Sequence, residues 1–366
     1  MARNWRQLTL TLQTYTEKGK KRGFYRPRKP AARNWPGYDQ AQVHEICDVL
    51  ESVRVGVDTV CRDLAPYLNR SRGPGRPREA GAGGVADLAK AVLFQQYLEL
   101  SNRRLEGYLG LFWEKLGLVG LGLPRYKDAE RAYGDPDVTV VLLGFFDLTV
   151  QAVRDVHDFA VDGTGLSTSI KDSWERYLNG ESKGKAGKGG RYSIFEKLVC
   201  VVEQGYGVVS AFRILESMYG HESPCFGSLI GEAVKRHGVE RLGFVCGDAA
   251  YLSRENCSLV ASLGGVPRFY PKKGVSLRSE GSRAYQEMLL SFVDDPQRWL
   301  EEYHKRYVCE SAFSSLKRRC LAALRRKIGA RRKLEVVARI CVYNLIRLSY
   351  ARWVKDLSAR FAPGSR

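Results

Sequence analysis

Apolar residues recur at three- and four-residue spacing through the first 154 residues, which is the pattern of helices that bury one face. The segments that carry this pattern are 39–68, 85–101, 103–116 and 135–154. A stretch rich in proline and glycine, 71–84, interrupts it. We therefore predict a basic arm with a helical region over 1–70 and a helical domain over 71–154.

The rest of the chain contains short apolar runs bounded by glycine, which are typical of buried strands. The predicted strands cover 158–162, 194–207, 208–215, 241–247 and 266–273, and the predicted helices between the later ones cover 225–237 and 253–264. After an irregular segment, 274–298, the residues from Trp299 to Cys320 contain neither glycine nor proline and are predicted to form one long helix. This order predicts an α/β domain with a sheet of mixed direction over 155–350.

The formal net charge of +19 is concentrated in two segments of the chain. Residues 1–33 contain ten lysines and arginines and one acid, and residues 313–340 contain the same numbers. The second segment leads into a basic helix predicted over 334–354, and a tail at 351–366 ends the chain. Concentrated positive charge indicates a polyanion as partner, with nucleic acid as the first candidate and an anionic membrane surface as the rival. We assign 1–70 to DNA binding on this basis.

Neither a secretory signal nor a membrane-spanning segment is expected. The N-terminus is polar and basic, and the longest apolar run, 138–146, is too short to cross a bilayer. The nine cysteines form no Cys-x2-Cys pair, and their odd number indicates reduced thiols. We therefore expect a cytoplasmic, nucleoid-associated protein without a membrane partner.

Two basic loops are candidates for contacts with DNA phosphates. In the first, a Gly-Arg-Pro sequence containing Arg76 and followed by Arg78 resembles the core of an AT-hook, although a basic linker ahead of a helix is the alternative. The second loop, 180–191, either touches DNA or is solvated, and its lysines are Lys183, Lys185 and Lys188. It lacks the Gly-x4-Gly-Lys-Ser/Thr spacing of a phosphate-binding P-loop.

The predicted helix over 299–320 carries an ordered polar face. At about 100° per residue, four polar residues fall within about 60° of one another on this face. They are Tyr303, Arg306, Glu310 and Lys317. The adjacent apolar stripe consists of Cys309, Phe313, Leu316 and Cys320 and is predicted to face a core. Taken alone, the polar face favours solvated side chains that pair along the helix.

Three acids occupy positions where carboxylates are unusual unless they are used. Asp162 ends the first predicted strand, Asp248 follows the strand over 241–247, and Glu310 lies on the polar helix face. Active sites collect at strand ends in sheets of this type, although such acids also act as turn formers or helix caps. Three carboxylates suit Mg²⁺ or Mn²⁺, and two such ions can clamp an in-line phosphoryl transfer. Histidine and cysteine spacing gives no support for a zinc site.

The order of these acids, on strand, strand and helix, resembles that of the DDE transposases. Asp-Gly-Thr at 162–164 and Gly-Asp-Ala-Ala-Tyr at 247–251 are similar to the first and second acid motifs of that family. The spacing Tyr303-x2-Arg306-x3-Glu310-x6-Lys317 resembles the Tyr-Arg-Glu-Lys signature of one branch of bacterial and archaeal insertion-sequence transposases. The resemblance covers roughly residues 75–350 and implies an RNase H-like fold for the catalytic domain.

The resemblance also implies a role for each residue of the motifs. Asp162, Asp248 and Glu310 would bind two Mg²⁺ or Mn²⁺ ions. Arg306 and Lys317 would contact phosphates at the transposon end, and Tyr303 would position that end. The reaction would release a 3′-OH at the end of the element and join it to target DNA. The implied partner is double-stranded DNA, comprising inverted-repeat ends and target, held by a homodimer in the synaptic complex.

Further basic residues of the second cationic segment are candidates for DNA contacts, namely Arg318, Arg325 and Arg326. Two other functions remain open beside that of an active transposase. One is a metal-dependent nuclease on the same fold that performs no strand transfer. The other is a DNA-binding protein that descends from a transposase and has lost catalysis.

Overall fold

The computed structural model describes residues 4–21, 33–68, 84–119, 122–168, 195–217, 220–277, 281–319 and 323–357. The chain forms two compact units. The first, which we call the sheet unit, comprises Met1–Ala32, Arg154–Thr164 and Lys197–Ala312. The second, the helical unit, comprises Arg33–Val153, Gly165–Glu196 and Phe313–Arg366.

The helices of the described residues are numbered in chain order. They are α1 (Trp5–Lys20), α2 (Trp35–Leu64), α3 (Val85–Tyr97), α4 (Asn102–Leu116), α5 (Tyr126–Ala132), α6 (Pro136–Gln151), α7 (Phe226–His237), α8 (Arg254–Ser262), α9 (Arg283–Asp294), α10 (Pro296–Tyr303), α11 (Tyr307–Arg319) and α12 (Gly329–Val354). The strands are β1 (Phe159–Ser167), β2 (Phe195–Glu203), β3 (Val209–Leu215), β4 (Phe244–Gly247) and β5 (Val266–Phe269). None of these helices is both long enough and apolar enough to cross a membrane.

The core of the helical unit forms around α12. This helix packs against α2, α3 and α6, and its residues are buried on most of its circumference, including Val336, Ile340 and Val342. The amide of Asn344 donates to the hydroxyl of Thr149 on α6 at 3.0 Å, which satisfies both polar groups inside the core. The predicted helix over 334–354 is confirmed and begins five residues earlier. It packs with the N-terminal helices, whereas the sequence analysis assigned it to the sheet domain.

The sheet unit contains a five-stranded mixed sheet in the order β3-β2-β1-β4-β5. Strand β4 pairs in parallel with both β1 and β5, and β2 pairs antiparallel with β3. The predicted hairpin of β2 and β3 is confirmed. The buried carboxylate of Glu203 stabilises its turn by accepting the N–H groups of Gly205, Tyr206 and Val208 at 2.7–2.9 Å. The predicted sheet of mixed direction is therefore confirmed.

Strand β1 extends beyond its predicted end. Its residues continue to Ser167, so Asp162 lies inside the strand and does not terminate it. The prediction placed a turn at the glycines that follow Asp162. The extended conformation persists there because Ser167 pairs with Ala323 in parallel and accepts the N–H of Leu324 at 2.7 Å.

Two segments predicted to lack regular structure contain helices. Within 274–298, helix α9 is capped by Ser282, which accepts the N–H of Tyr285 at 3.2 Å, and it buries Met288 and Phe292. Within the predicted basic arm, helix α1 packs against α9 and α10. Both helices derive much of their stability from tertiary burial, which local composition does not report.

The predicted long helix over 299–320 is interrupted. Helix α10 ends at Tyr303, a 3₁₀ turn covers His304–Arg306, and α11 begins at Tyr307. A 3₁₀ turn winds more tightly than an α-helix, so the assumed rotation of about 100° per residue does not apply across it. The thiol of Cys246 on β4 approaches the carbonyl of Glu302 at 3.5 Å, next to this break.

Candidate active site

The pairing of β1 with β4 brings two of the three predicted acids together. Val161 is the register partner of Gly247, and Asp162 and Asp248 are the next residues along the chain. Because the strands are parallel, both carboxylates lie at the same end of the pairing. Asp248 caps the 3₁₀ turn that follows β4 by accepting the N–H of Ala250 at 2.8 Å.

Arg306 connects Glu310 to this pair of strands. Its guanidinium donates through Nη1 to Asp162 and through Nη2 to Oε1 of Glu310, the second bond measuring 2.7 Å. The Arg306 side chain is 15% exposed, whereas that of Glu310 is 50% exposed. The helix break therefore delivers the guanidinium to the sheet and leaves the Glu310 carboxylate near solvent.

Tyr303 forms the wall beside Arg306. Its ring stacks on Trp299 with centroids 5.3 Å apart and an interplanar angle of 18°. The guanidinium carbon of Arg306 lies 5.8 Å from the centroid of the Tyr303 ring. Burial raises the pKa of the Tyr303 hydroxyl well above its usual value, so this group is a neutral hydrogen-bond donor at physiological pH.

The electrostatic environment of Asp162 favours an added cation. Burial raises the pKa of this carboxyl from 3.8 to about 6, although the Arg306 guanidinium and the Gly163 N–H, which donates at 2.9 Å, oppose the rise. The carboxylates of Asp248 and Glu222 raise it further. Burial therefore outweighs the opposing effect of the arginine and leaves the ionised form of Asp162 poorly compensated, which a bound cation would relieve.

Glu222 is a fourth acid at this site, and the sequence analysis did not identify it. Its carboxylate pairs with Lys197 on β2 at 3.0 Å and accepts the hydroxyl of Tyr251 at 2.7 Å. It lies against Gly163, where a Cβ atom would overlap the carboxyl group. Gly163 was the one available sequence signal for Glu222. A glycine inside a strand can mark a position that another group approaches closely.

The donor set of the site fits a hard divalent cation. Asp162 and Asp248 supply carboxylate oxygens from adjacent strands, and Glu310 lies within reach of the same arginine as Asp162. In the arrangement observed, Arg306 lies between Asp162 and Glu310. No three acids, histidines or cysteines of the described residues are grouped as metal ligands.

The predicted apolar stripe of the helix is buried where the structure describes it. Cys309, Phe313 and Leu316 are all buried, and Cys320 lies outside the described residues. Lys317 and Arg318 lie in the last turn of α11, Lys317 half-buried and Arg318 exposed.

One predicted DNA contact, Arg326, has a structural role in the helical unit. Arg326 is 5% exposed, pairs with Glu130 and stacks over the ring of Tyr133 at 3.9 Å. This burial argues against a DNA contact, because the guanidinium is already neutralised and enclosed. Arg325 donates to the carbonyl of Glu99 at 3.0 Å. The remaining candidates lie outside the described residues, namely Arg76, Arg78, Lys183, Lys185 and Lys188.

Comparison with known proteins finds a family model, a curated relative and a solved structure that match this chain. Residues 157–345 match the family model described as "Transposase DDE domain". The chain is 27% identical over 281 residues to the "Probable transposase for insertion sequence element ISA1214" of Archaeoglobus fulgidus, covering 76% of this chain and 78% of that protein. A cryo-EM structure of the piggyBac transposase synaptic complex with hairpin DNA aligns with a TM-score of 0.44 and 9% identity, covering 87% of this chain and 76% of that one.

Proposed function

Because the chain belongs to the DDE transposase family, we propose that it cleaves DNA at the ends of an insertion sequence and joins the released 3′-OH to target DNA. The observation that carries the proposal is the convergence of Asp162 and Asp248 from paired strands. Arg306 links Asp162 to the third acid, Glu310. A site of four acids with an arginine and a buried tyrosine is suited to phosphoryl transfer in a polyanion.

We further propose that the sheet unit has an RNase H-like fold. The mixed sheet, with β1 and β4 adjacent and parallel, supports this assignment. The two aspartates then lie on neighbouring strands, and the third acid lies on a helix later in the chain.

Asp162, Asp248 and Glu310 would hold two Mg²⁺ or Mn²⁺ ions. When bound, such ions activate the attacking oxygen and stabilise the leaving oxygen of an in-line displacement. Asp162 has to be ionised to act as a ligand, so its pKa of about 6 leaves it competent at neutral pH. The Arg306 guanidinium would exchange its carboxylate partners for a DNA phosphate, which its planar fork fits.

Lys317 and Tyr303 would assist in holding the transposon end. The lysine ammonium acts as a point charge toward phosphate, and the neutral Tyr303 hydroxyl donates a hydrogen bond. Two DNA ends have to be paired for transposition, so we propose that a homodimer forms the synaptic complex on double-stranded DNA. Arg318, which is exposed on the same helix as Lys317, is a further candidate for a DNA contact.

The proposal is tested by incubating the protein with duplexes that carry the terminal repeats of its own element and Mg²⁺. We expect nicking that exposes a 3′-OH, followed by joining to a target duplex. Glu310→Gln removes one ligand charge without changing the shape of the side chain. This variant should lose cleavage by at least about 100-fold and retain DNA binding, since the residue contributes to catalysis and not to affinity.

The controls separate the rival functions. Nicking without joining would indicate a nuclease, and binding without nicking would indicate a DNA-binding protein that has lost catalysis. Normal cleavage by Glu310→Gln would exclude this residue as a metal ligand. A matched variant, Glu255→Gln on α8, changes an exposed acid that has no place in the site and should cleave normally.

A further inference from the structure

Two neighbouring cavities extend from the candidate active site along helix α1. The first has a volume of 380 Å³ and is lined by Tyr303, Arg306 and Glu310, together with Lys20. The second has a volume of 480 Å³, and its basic lining residues are Lys20, Lys21, Lys272 and Lys273. Lys20 lines both cavities, so they lie next to each other, and we call the two together the lysine groove.

The position of α1 is fixed by specific contacts with the sheet unit. The hydroxyl of Tyr270 donates to the carbonyl of Thr16 at 2.6 Å, and the N–H of Leu277 donates to the hydroxyl of Thr9 at 3.3 Å. Gly19 is buried, and a Cβ atom there would lie 3.0 Å from the Tyr270 hydroxyl and 3.6 Å from Leu300. The last turn of α1 is therefore held at the edge of the site, and Lys20 and the residue after it follow directly.

The charges of the groove come from two separate segments. Lys20 ends α1 and Lys21 follows it, whereas Lys272 and Lys273 follow β5. All four side chains are exposed, and Glu17 is the one acid among the residues known to line the second cavity. Lysines at a helix C-terminus also offset the helix dipole, but this explains only the first pair. The helix dipole does not explain why Lys272 and Lys273 line the same cavity as the lysines of α1.

We propose that the lysine groove binds the phosphodiester backbone of DNA beside the phosphate that reacts. The inference rests on the proposed function for the identity of the polymer. Lysine ammonium groups bind phosphate without reading the base sequence, so the groove would fix the register of the strand relative to Glu310. The N-terminal helix, placed by its contacts with Tyr270, is then part of the DNA-binding surface of the sheet unit.

The test is a salt titration of DNA binding by the full chain in the absence of divalent ions. The variant Lys20→Gln/Lys273→Gln removes one exposed charge from each segment. The slope of log Kobs against log[salt] should become shallower by about 2. As a result, raising the salt from about 50 to about 200 mM should weaken binding by the wild-type protein roughly tenfold more than binding by the variant.

Two control proteins separate this effect from general electrostatics and from unfolding. Lys235→Gln/Arg241→Gln removes the same charge from exposed positions on α7 and in the segment before β4 and should leave the slope within about 0.5 of wild type. Gly19→Val keeps every lysine but forces α1 away from Tyr270. If it remains folded by circular dichroism, it should reduce the slope in the same direction as the double variant.

Two duplexes of equal length, one with the terminal repeat and one with a scrambled sequence, distinguish end DNA from target DNA. A reduced slope on either duplex supports DNA binding by the lysine groove. The duplex that shows the reduced slope identifies whether the groove binds end DNA or target DNA. An unchanged slope on both, or an equal change in the Lys235/Arg241 control, overturns the inference.

Single neutral methylphosphonates around the cleavage position provide a second readout. They should weaken binding by the wild-type protein at the contacted phosphates but not weaken the double variant further. Equal weakening of both proteins at every position would contradict the proposal. Because these measurements require no cleavage, an inactive enzyme with a normal lysine effect would refute the proposed function and leave the groove intact.

Discussion

Replacing Gly163 with alanine tests why the residue beside Asp162 has no side chain. A Cβ atom at position 163 would overlap the carboxyl group of Glu222. That carboxylate is held by Lys197 at 3.0 Å and by the Tyr251 hydroxyl at 2.7 Å. Glu222 must therefore give up these bonds, or strand β1 must move.

The expected loss of stability follows from these contacts. Hydrogen bonds to a charged group contribute about 1.5–3 kcal/mol each, and forcing an extra carbon into a packed site costs about 1–3 kcal/mol. Glu222 is 17% exposed, so water restores part of the lost interaction. The unfolded chain of the alanine variant is less flexible, which offsets less than about 1 kcal/mol of the lost stability. We therefore expect Gly163→Ala to reduce the free energy of unfolding by about 2–4 kcal/mol.

A double-mutant cycle in urea, followed by circular dichroism, measures the effect. In a Glu222→Ala background, Gly163→Ala should cost less than about 1 kcal/mol, because the overlapping group is gone. The coupling free energy between the two positions should be about 1–3 kcal/mol. An equal cost of Gly163→Ala in both backgrounds would refute the claim that Glu222 is the reason for the glycine.

Three other substitutions test the charge of Asp162, the packing of Phe313 and the role of Arg326 in DNA binding. As the pH rises from 3.8 to about 6, the contribution of Asp162 should lower the free energy of unfolding by up to about 3 kcal/mol, because burial raises its pKa to that value and the unfolded chain releases this proton earlier. The profile of Asp162→Asn, compared with that of the wild-type protein, should lack this contribution. The side chain of Phe313 is 7% exposed, so Phe313→Ala should lower the free energy of unfolding by about 3–5 kcal/mol. It should also reduce cleavage, because Glu310 on the same helix would no longer be held in position. Full activity in the folded variant would contradict this link between packing and catalysis. Arg326→Gln should cost about 1.5–3 kcal/mol, since the buried charge-assisted bonds of Arg326 are lost while Glu130 keeps its ion pair with Arg331. The salt dependence of DNA binding should stay the same, and a shallower slope would restore Arg326 as a DNA contact.

Several elements followed directly from local patterns. The hairpin of β2 and β3, the helix α7 with its Gly238 end and most of α12 agree with the apolar spacing of their residues. The family was also accessible, because the order of the acids and the spacing from Tyr303 to Lys317 are properties of the linear chain. The roles of these residues in catalysis and DNA binding remain predictions.

Other features depended on partners far away in the chain. Glu222 was missed because its importance comes from Gly163, Lys197 and Tyr251, none of which is close to it in sequence. The break at His304–Arg306 follows no glycine or proline, and it coincides with the ion pair between Arg306 and Asp162. Local sequence patterns do not indicate either contact.

The sequence by itself determined the types and order of most elements, the mixed sheet and the family, since periodicity and motif spacing act over a few residues at a time. The tertiary structure decided which charges are available. It neutralised Arg326 against Glu130, and it docked α1 so that Lys20 lies beside the predicted catalytic face. Net charge in a segment measures how many cations are present, but the free energy of burial and pairing decides which of them face a partner.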